Sequence, residues 1–233
     1  MAAVIHPAVG PGPSGVWERG ACGLRARMAE PLRRSAYHHG DLREALLDAA
    51  GAILREEGPA ALTLREAARR VGVTHRALYR HFRSKEELLA VMAAQGYAAL
   101  LAEARAELAL EDRRPEDRLL TIARVYLRYA VADPARYALM SGARLNTDGR
   151  FPELEAQVHA GINLLNAELE ATAPGVTGTA IRDAGLTLWA AMHGVADQLN
   201  QGRIRVKPER LDGYSRVLLA PVVRGLAATL RGA

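Results

Sequence analysis

The chain has 233 residues, 49% of them hydrophobic and 24% charged, with a net charge of +5. This length and composition exclude a chain that is disordered throughout and are typical of one large or two small globular domains. The only cysteine is Cys22, so no intramolecular disulfide can form and a reducing compartment is favoured. There is no apolar run of about eighteen residues and no secretory leader, and we therefore predict a soluble, cytoplasmic protein without a membrane partner.

The positive charge is concentrated in the N-terminal part of the chain. Residues 33–86 contain 11 Lys and Arg against 7 Asp and Glu, whereas residues 87–233 contain 17 of each kind. Such asymmetry indicates an anionic partner that is held by one end of the molecule. Nucleic acid is the first candidate and a membrane surface the second, but charge alone leaves an ordinary solvated face equally open.

Residues 1–35 are rich in Gly and Pro and are predicted to be a disordered tail. The first helix signals come directly after this tail. Four N-cap residues then begin four predicted helices: Asp41, Thr63, Thr74 and Ser84. The first is expected to stop at Gly58, the second at Gly72, the third near Phe82 and the fourth near Leu110.

Prolines mark the next elements. A fifth helix is predicted from Pro115 to just before Asp133, and a sixth from Pro134 to near Gly142. Three longer amphipathic segments follow, at residues 151–173, 177–201 and 208–231. No stretch alternates between turn signals as a strand does, so the predicted fold class is all-α.

The second and third helices are joined by a very short turn with Gly72 at its corner, which is the arrangement of a helix-turn-helix. On the third helix Leu78 and Phe82 are four residues apart and are predicted to face the core. The side chains left facing outward are rich in hydrogen-bond donors: Thr74, His75, Arg76, Tyr79 and Arg80. Arginine can bind guanine with two hydrogen bonds, threonine can meet a thymine methyl, and tyrosine and lysine suit phosphates.

Residues 37–95, with their LTLREAARRVGV and ALYRHFRSKEELL motifs in order, resemble the N-terminal domain of TetR/AcrR-type transcriptional regulators. The resemblance implies a homodimer that binds a palindromic double-stranded DNA operator and responds to a small-molecule effector. The positions that match DNA contacts of the family are Thr63, Arg65, Thr74, His75, Arg76, Ala77, Tyr79, His81 and Lys85. Tyr37, His38 and His39 precede the first helix and are either phosphate contacts or a plain lead-in.

The segment LTLWAAMHGVADQL places Trp189, His193 and Gly194 in a WxxxHG arrangement that resembles the WHG-type C-terminal domain of the same family. Trp189 and His193 are four residues apart and share a helix face, either in the core or as the wall of a ligand pocket. The other predicted pocket residues are Tyr126, Tyr129, Met140, Phe151, His159 and Met192.

The resemblance also implies that the last two helices pair with those of a second copy. The final helix offers Leu211, Leu218, Val222 and Leu226 for this contact, and Pro221 is expected to kink it. We therefore divide the chain into a tail of residues 1–35, a helix-turn-helix domain of residues 36–85 and a ligand-binding and dimerisation domain of residues 86–233.

An enzyme is the rival interpretation, and the sequence gives it little support. There is no P-loop, no GxGxxG motif after a strand and no HExxH motif. Neither His159 nor His193 has a Glu three residues before it, as helical di-metal sites require. We therefore expect no cofactor, no metal and no catalytic residue. The predicted function is a ligand-responsive regulator, specifically a repressor; a helical protein-interaction module is the other alternative.

Overall fold

The computed structural model describes residues 39–110, 114–142 and 149–232, and all regular structure among them is helical. The helices are α1 (His39–Glu57), α2 (Leu64–Val71), α3 (His75–Leu78), α4 (Lys85–Ala109), α5 (Pro115–Ala132), α6 (Pro134–Gly142), α7 (Pro152–Thr172), α8 (Thr179–Asn200) and α9 (Leu211–Arg231). A 3-10 turn, Pro208–Arg210, precedes α9. The predicted all-α class is confirmed. The predicted tail, with Tyr37 and His38, lies outside the described residues.

Most helix ends lie where the sequence places them, but two predictions were wrong. Asp41 was expected to cap α1, whereas α1 already begins at His39, so Asp41 lies inside the helix. The third helix was expected to reach Phe82, but α3 ends at Leu78 and residues 79–81 continue as turns. Those turns are tightened by hydrogen bonds that His81 N and Phe82 N donate to Leu78 O, at 2.8 and 3.1 Å.

Two hydrophobic clusters hold the described residues together. The first joins α1, α2, α3 and the first half of α4, with Phe82 and Leu78 fully buried at its centre. The second joins the later part of α4 with α5, α7, α8, α9 and Tyr137 of α6, and it includes Leu127 and Leu188, which are also fully buried. We call the part built on the first cluster the head and the part built on the second the body.

Helix α6 connects the head with the body. Tyr97 Oη of α4 donates to Met140 O of α6 at 3.0 Å. The two helices approach so closely at Gly96 that an added Cβ would lie 2.5 Å from Met140 Sδ. At the other end of α6, Asp133 pairs with Arg55 of α1 at 3.5 Å. A side chain at position 96 would therefore force Met140 to move.

Helix α4 is long and apolar enough, by length and by a mean hydropathy of 1.2, to cross a membrane. Its sequence contains no uninterrupted apolar run of that length, because charged residues interrupt it. Half of the apolar window is buried against other helices of the fold, as expected for the central helix of a core.

The last helix departs from the prediction at Leu211. This residue was expected on the surface that meets a second copy, but it is buried within its own chain. Pro221 lies on the exposed side of α9, which continues from Leu211 to Arg231. Leu218, Val222 and Leu226 are half-buried at the edge of the second cluster.

Candidate nucleic-acid interface and candidate effector site

The corner between α2 and α3 is built from caps and small buried residues. Thr63 Oγ1 accepts a hydrogen bond from Glu66 N at 3.0 Å, and Thr74 Oγ1 accepts one from Ala77 N at 3.2 Å. Between these caps Gly72 adopts a φ of 77°, in the left-handed region where glycine is favoured. Ala68 is buried beneath the corner. These contacts fix the direction in which α3 leaves α2.

The outward face of α3 has the composition that the sequence predicts. Thr74, His75, Arg76, Tyr79 and Arg80 are all exposed. The Tyr79 and His75 rings meet edge to face with 4.6 Å between their centroids, while 47% of Tyr79 remains exposed. The face therefore presents polar and cationic side chains to solvent, and the His75 and Tyr79 rings pack against each other.

The other predicted contact residues of the head differ in exposure. Thr63 and Arg65 are exposed at the start of α2, whereas Ala77 and His81 are half-buried. Lys85 is half-buried and its Nζ donates to Pro59 O at 3.1 Å. Lys85 thus already holds the loop before α2, a role that sequence spacing did not reveal.

Two kinds of arginine occur on the head. Arg69 and Arg70 are paired with Glu66, and Arg70 also binds Glu56 and Glu57. The hydrogen bond from Arg69 lowers the pKa of the Glu66 carboxyl. In contrast, the guanidinium groups of four exposed arginines make no ion pair or hydrogen bond with the described residues: Arg65, Arg76, Arg80 and Arg83. Arg76 lies on α3, Arg80 and Arg83 follow it, and Arg65 lies at the start of α2, all exposed so that an anionic ligand can reach them.

The junction between the α3 turns and α4 is held by reciprocal hydrogen bonds. Ser84 Oγ accepts from Glu87 N at 3.2 Å, and Glu87 Oε2 accepts from Arg83 N at 2.6 Å. Beside this junction, the Arg43 guanidinium of α1 lies 5.3 Å from the centre of the buried Phe82 ring. These contacts join the first turn of α4 to the turns that follow α3 and to α1.

The body contains a polar cluster formed by α5, α6 and α8. His193 Nδ1 lies 2.6 Å from Tyr137 Oη and 3.3 Å from Tyr126 Oη, and the two phenol oxygens are 3.3 Å apart. His193 Nε2 faces Asp197 Oδ2 at 3.6 Å. Trp189 stacks on the imidazole with 5.1 Å between ring centroids. We call these five residues the aromatic cluster.

Burial perturbs the two tyrosines of the aromatic cluster. It raises the pKa of Tyr137 to about 12 and also raises the pKa of Tyr126, so both phenols stay neutral at a pH where an exposed tyrosine ionises. A hydroxyl of Tyr137 that donates to Nδ1 leaves the imidazole proton on Nε2, directed at the Asp197 carboxylate. Both ring nitrogens of His193 then face a polar partner.

The structure brings only some of the predicted pocket residues together. Tyr126, Trp189 and His193 meet in the aromatic cluster, in which sequence reasoning missed Tyr137 and Asp197. Met192 is buried in the second hydrophobic cluster, whereas Met140 and Phe151 pack against the first. Tyr129 is half-buried and His159 is exposed on α7. Trp189 is 43% exposed, so it is neither a core residue nor enclosed within this chain.

Two clefts border the helices of the body. The larger, about 480 Å³, runs between α8 and α9 and is lined by apolar residues that include Val195, Leu218 and Val222. The smaller, about 220 Å³, lies between α5 and α9 and is lined by Arg124, Asp212 and Arg216, among others. The exposed Leu186 lies on the same helix, α8, that forms one wall of the larger cleft.

The fold and the head define the class: an all-α protein with an N-terminal helix-turn-helix. Two family models match the chain, "Bacterial regulatory proteins, tetR family" at residues 46–92 and "Tetracyclin repressor-like, C-terminal domain" at residues 119–221. Together they span more than half of the sequence, and the second includes the WxxxHG segment. The chain belongs to the TetR family of bacterial regulatory proteins, which confirms the resemblance and removes the enzyme alternative.

Among curated proteins, the chain is similar to the HTH-type transcriptional regulator Rv1816 of Mycobacterium tuberculosis and to Mb1846 of Mycobacterium bovis. Each is 31% identical over 132 residues, which is 55% of this chain and 55% of the relative. The chain thus spans about half the length of the curated relatives it matches.

Solved structures share the fold. A Rhodococcus sp. RHA1 protein of unknown function is 28% identical, with a TM-score of 0.70 over 83% of this chain and 100% of that one. The TetR family transcriptional regulator PfmR of Thermus thermophilus is 20% identical, with a TM-score of 0.59 over 77% of this chain and 97% of that one.

Proposed function

We propose that this protein is a cytoplasmic, DNA-binding transcriptional regulator, a repressor that binds a palindromic operator as a homodimer and is released by a small-molecule effector. The observation that carries the proposal is the exposure of Arg76 on α3 and of Arg80 and Arg83 just after it, whose guanidinium groups pair with none of the described residues. Unpaired guanidinium groups at the start of a recognition helix can bind guanine edges, while the caps at Thr63 and Thr74 fix that helix in place. Family membership supports the same function.

A second copy is proposed to dock on α8 and α9. Leu186 is 62% exposed on α8, and Leu218 and Val222 line the neighbouring cleft. Apolar side chains concentrated on one face favour association. Two heads on one dimer would read two half-sites about one helical turn, or about 10 base pairs, apart.

The aromatic cluster is the proposed site of effector response. It joins α8 to α6 through His193 and Tyr137, and α6 contacts α4 through Met140. An effector that displaces these contacts would move α4 and, through the Ser84 junction, α3. Because the operator fixes the spacing of the two heads, such a movement would weaken binding, typically about 5- to 150-fold.

Selection of bound sequences from a random double-stranded DNA pool tests the proposal. We expect the wild type to select a palindromic motif. Arg76→Ala should lose the preference for the contacted base of each half-site, and its affinity should fall about 5- to 150-fold, which corresponds to a loss of about 1–3 kcal/mol of binding free energy. Arg224→Ala, which removes an exposed arginine of α9, is the matched control and should select the same motif as the wild type. Absence of any enriched motif would contradict the DNA-binding function, and an asymmetric motif would contradict the dimeric one.

A further inference from the structure

The connection between α8 and α9 is an extended segment with cations on its outer side. Arg203, Arg205 and Lys207 are exposed, whereas Ile204 and Val206 between them are half-buried. Alternating exposure is what an extended backbone produces, since successive side chains point in opposite directions. Arg203 N and Ile204 N donate to Gln198 O at 3.0 and 3.1 Å, and Ile204 lines the cleft between α8 and α9. The cations are thus presented by an anchored segment.

Residues 203–210, which we call the basic strip, carry four cations, Arg203, Arg205, Lys207 and Arg210, and one acid, Glu209. None of the four cations makes an ion pair with a described residue. Several other arginines of the body are paired, for example Arg118 with Glu168 at 2.6 Å. Arg105, Arg182 and Arg224 are exposed without an ion pair to a described residue, but they lie singly on α4, α8 and α9. The strip differs in holding four such cations within eight consecutive residues.

The basic strip lies at the end of the body that meets the head. Asn200, at the end of α8, donates from Nδ2 to Ala130 O at 3.2 Å. Ala130 lies in the last turn of α5, and Asp133 directly after α5 pairs with Arg55 of α1 at 3.5 Å. The end of α5 thus contacts both the last residue of α8, just before the strip, and helix α1 of the head.

We propose that the basic strip is a second DNA-contacting surface, which binds the phosphate backbone without reading sequence. This inference rests on the proposed DNA-binding function. If two copies pair through α8 and α9, the loop that joins these helices lies near the symmetry axis, so the two strips lie between the two heads. A membrane surface fits less well, because Ile204 and Val206 point inward and leave no apolar side chain of the strip to enter a bilayer.

Salt dependence of DNA binding separates this surface from the recognition helix. The test variant is Arg203→Gln/Arg205→Gln/Lys207→Gln. The control is Arg105→Gln/Arg114→Gln/Arg224→Gln, which removes the same charge from exposed arginines that lie away from Leu186 and from the strip. The logarithm of the association constant is measured against the logarithm of salt concentration, on the selected operator and on a random duplex of equal length. Sedimentation confirms that the variants have the same oligomeric state.

The expected result is a salt slope whose magnitude falls by up to about 5 for the dimeric strip variant, because three cations are removed from each copy and each lost phosphate contact removes about 0.9. The reduction should be the same on both duplexes, with the selected motif unchanged. The control should keep the wild-type slope. If the strip variant and the control had equal salt slopes, and if Arg76→Ala still changed the selected motif, the proposed phosphate contacts of the strip would be wrong. The proposed DNA-binding function would still hold. A wild type that binds neither duplex would overturn both.

Discussion

The Tyr137 hydroxyl and His193 Nδ1, 56 positions apart in sequence, lie 2.6 Å apart and join α6 to α8. His193 also stacks on Trp189, and Tyr137 meets Tyr126 edge to face with 5.9 Å between ring centroids. Helix α6 also packs against α4 at Gly96, so the Tyr137–His193 hydrogen bond ties α8 to the helix that connects the body with the head.

Tyr137→Phe should lower the free energy of unfolding by about 0.5–1.5 kcal/mol, since it removes a buried hydrogen bond while keeping the ring. Urea denaturation measures the change. Tyr214→Phe is the control, because the Tyr214 hydroxyl makes no hydrogen bond with the described residues, and it should change the free energy by less. Equal losses in both variants would show that the Tyr137–His193 bond contributes nothing.

Alkaline stability should depend on the same phenol. The pKa of Tyr137 is raised by burial to about 12, whereas tyrosine in an unfolded chain ionises near a pH of about 10. The stabilisation is therefore complete below about pH 10 and is lost as the pH rises toward about 12, because the unfolded chain releases the proton first. Melting temperatures measured from about pH 9 to about pH 12 should fall less steeply for Tyr137→Phe than for the wild type. Parallel curves would contradict the assignment.

Gly96→Ala should destabilise the fold, because the added methyl would overlap Met140 Sδ. Overpacking costs roughly 1–3 kcal/mol, against a gain of up to about 1 kcal/mol in helix propensity, so the net loss should be about 1 kcal/mol. A cycle with Met140→Ala should recover part of the loss. Gly213→Ala, where an added Cβ meets nothing within 4 Å, should be neutral or stabilising. Additive effects of Gly96→Ala and Met140→Ala would mean that the close approach costs nothing.

Leu186→Glu should prevent dimerisation without unfolding the chain, because Leu186 is already 62% exposed on α8. Sedimentation should show a monomer, and operator affinity should fall because one head makes too few contacts. Leu110→Glu is the matched control: Leu110 is 80% exposed at the end of α4 and its substitution should change neither property. A Leu186→Glu dimer with full operator affinity would place the interface elsewhere.

Local signals in the sequence were enough to predict most helix ends. Thr63, Ser84 and Gly72 make their capping hydrogen bonds to backbone atoms only three or four residues away. Their roles could therefore be predicted without knowing the fold. The end of α3 was predicted too late because Leu78 and Phe82 kept a helical spacing while the backbone between them had already turned.

The aromatic cluster shows why the remainder could not be predicted. Helical spacing puts Trp189 and His193 on one face of α8, but it does not say whether that face is covered. Whether Tyr137 meets His193 depends on the crossing of α6 and α8, which only the packed fold determines. Leu211 was misassigned for the same reason, since an apolar residue on a helix face can equally meet its own chain or another.

Apart from Thr74, whose hydroxyl caps α3, the exposed side chains of α3 take no part in the packing that holds it in place. Leu78 and Phe82 are buried, and the caps at Thr74 and Ser84 use backbone partners nearby. His75, Arg76 and Arg80 can therefore be exchanged for other polar residues at little expense to folding. Substitutions at these positions, whether natural or designed, should change the DNA sequence that the head prefers and leave the structure of the body unchanged.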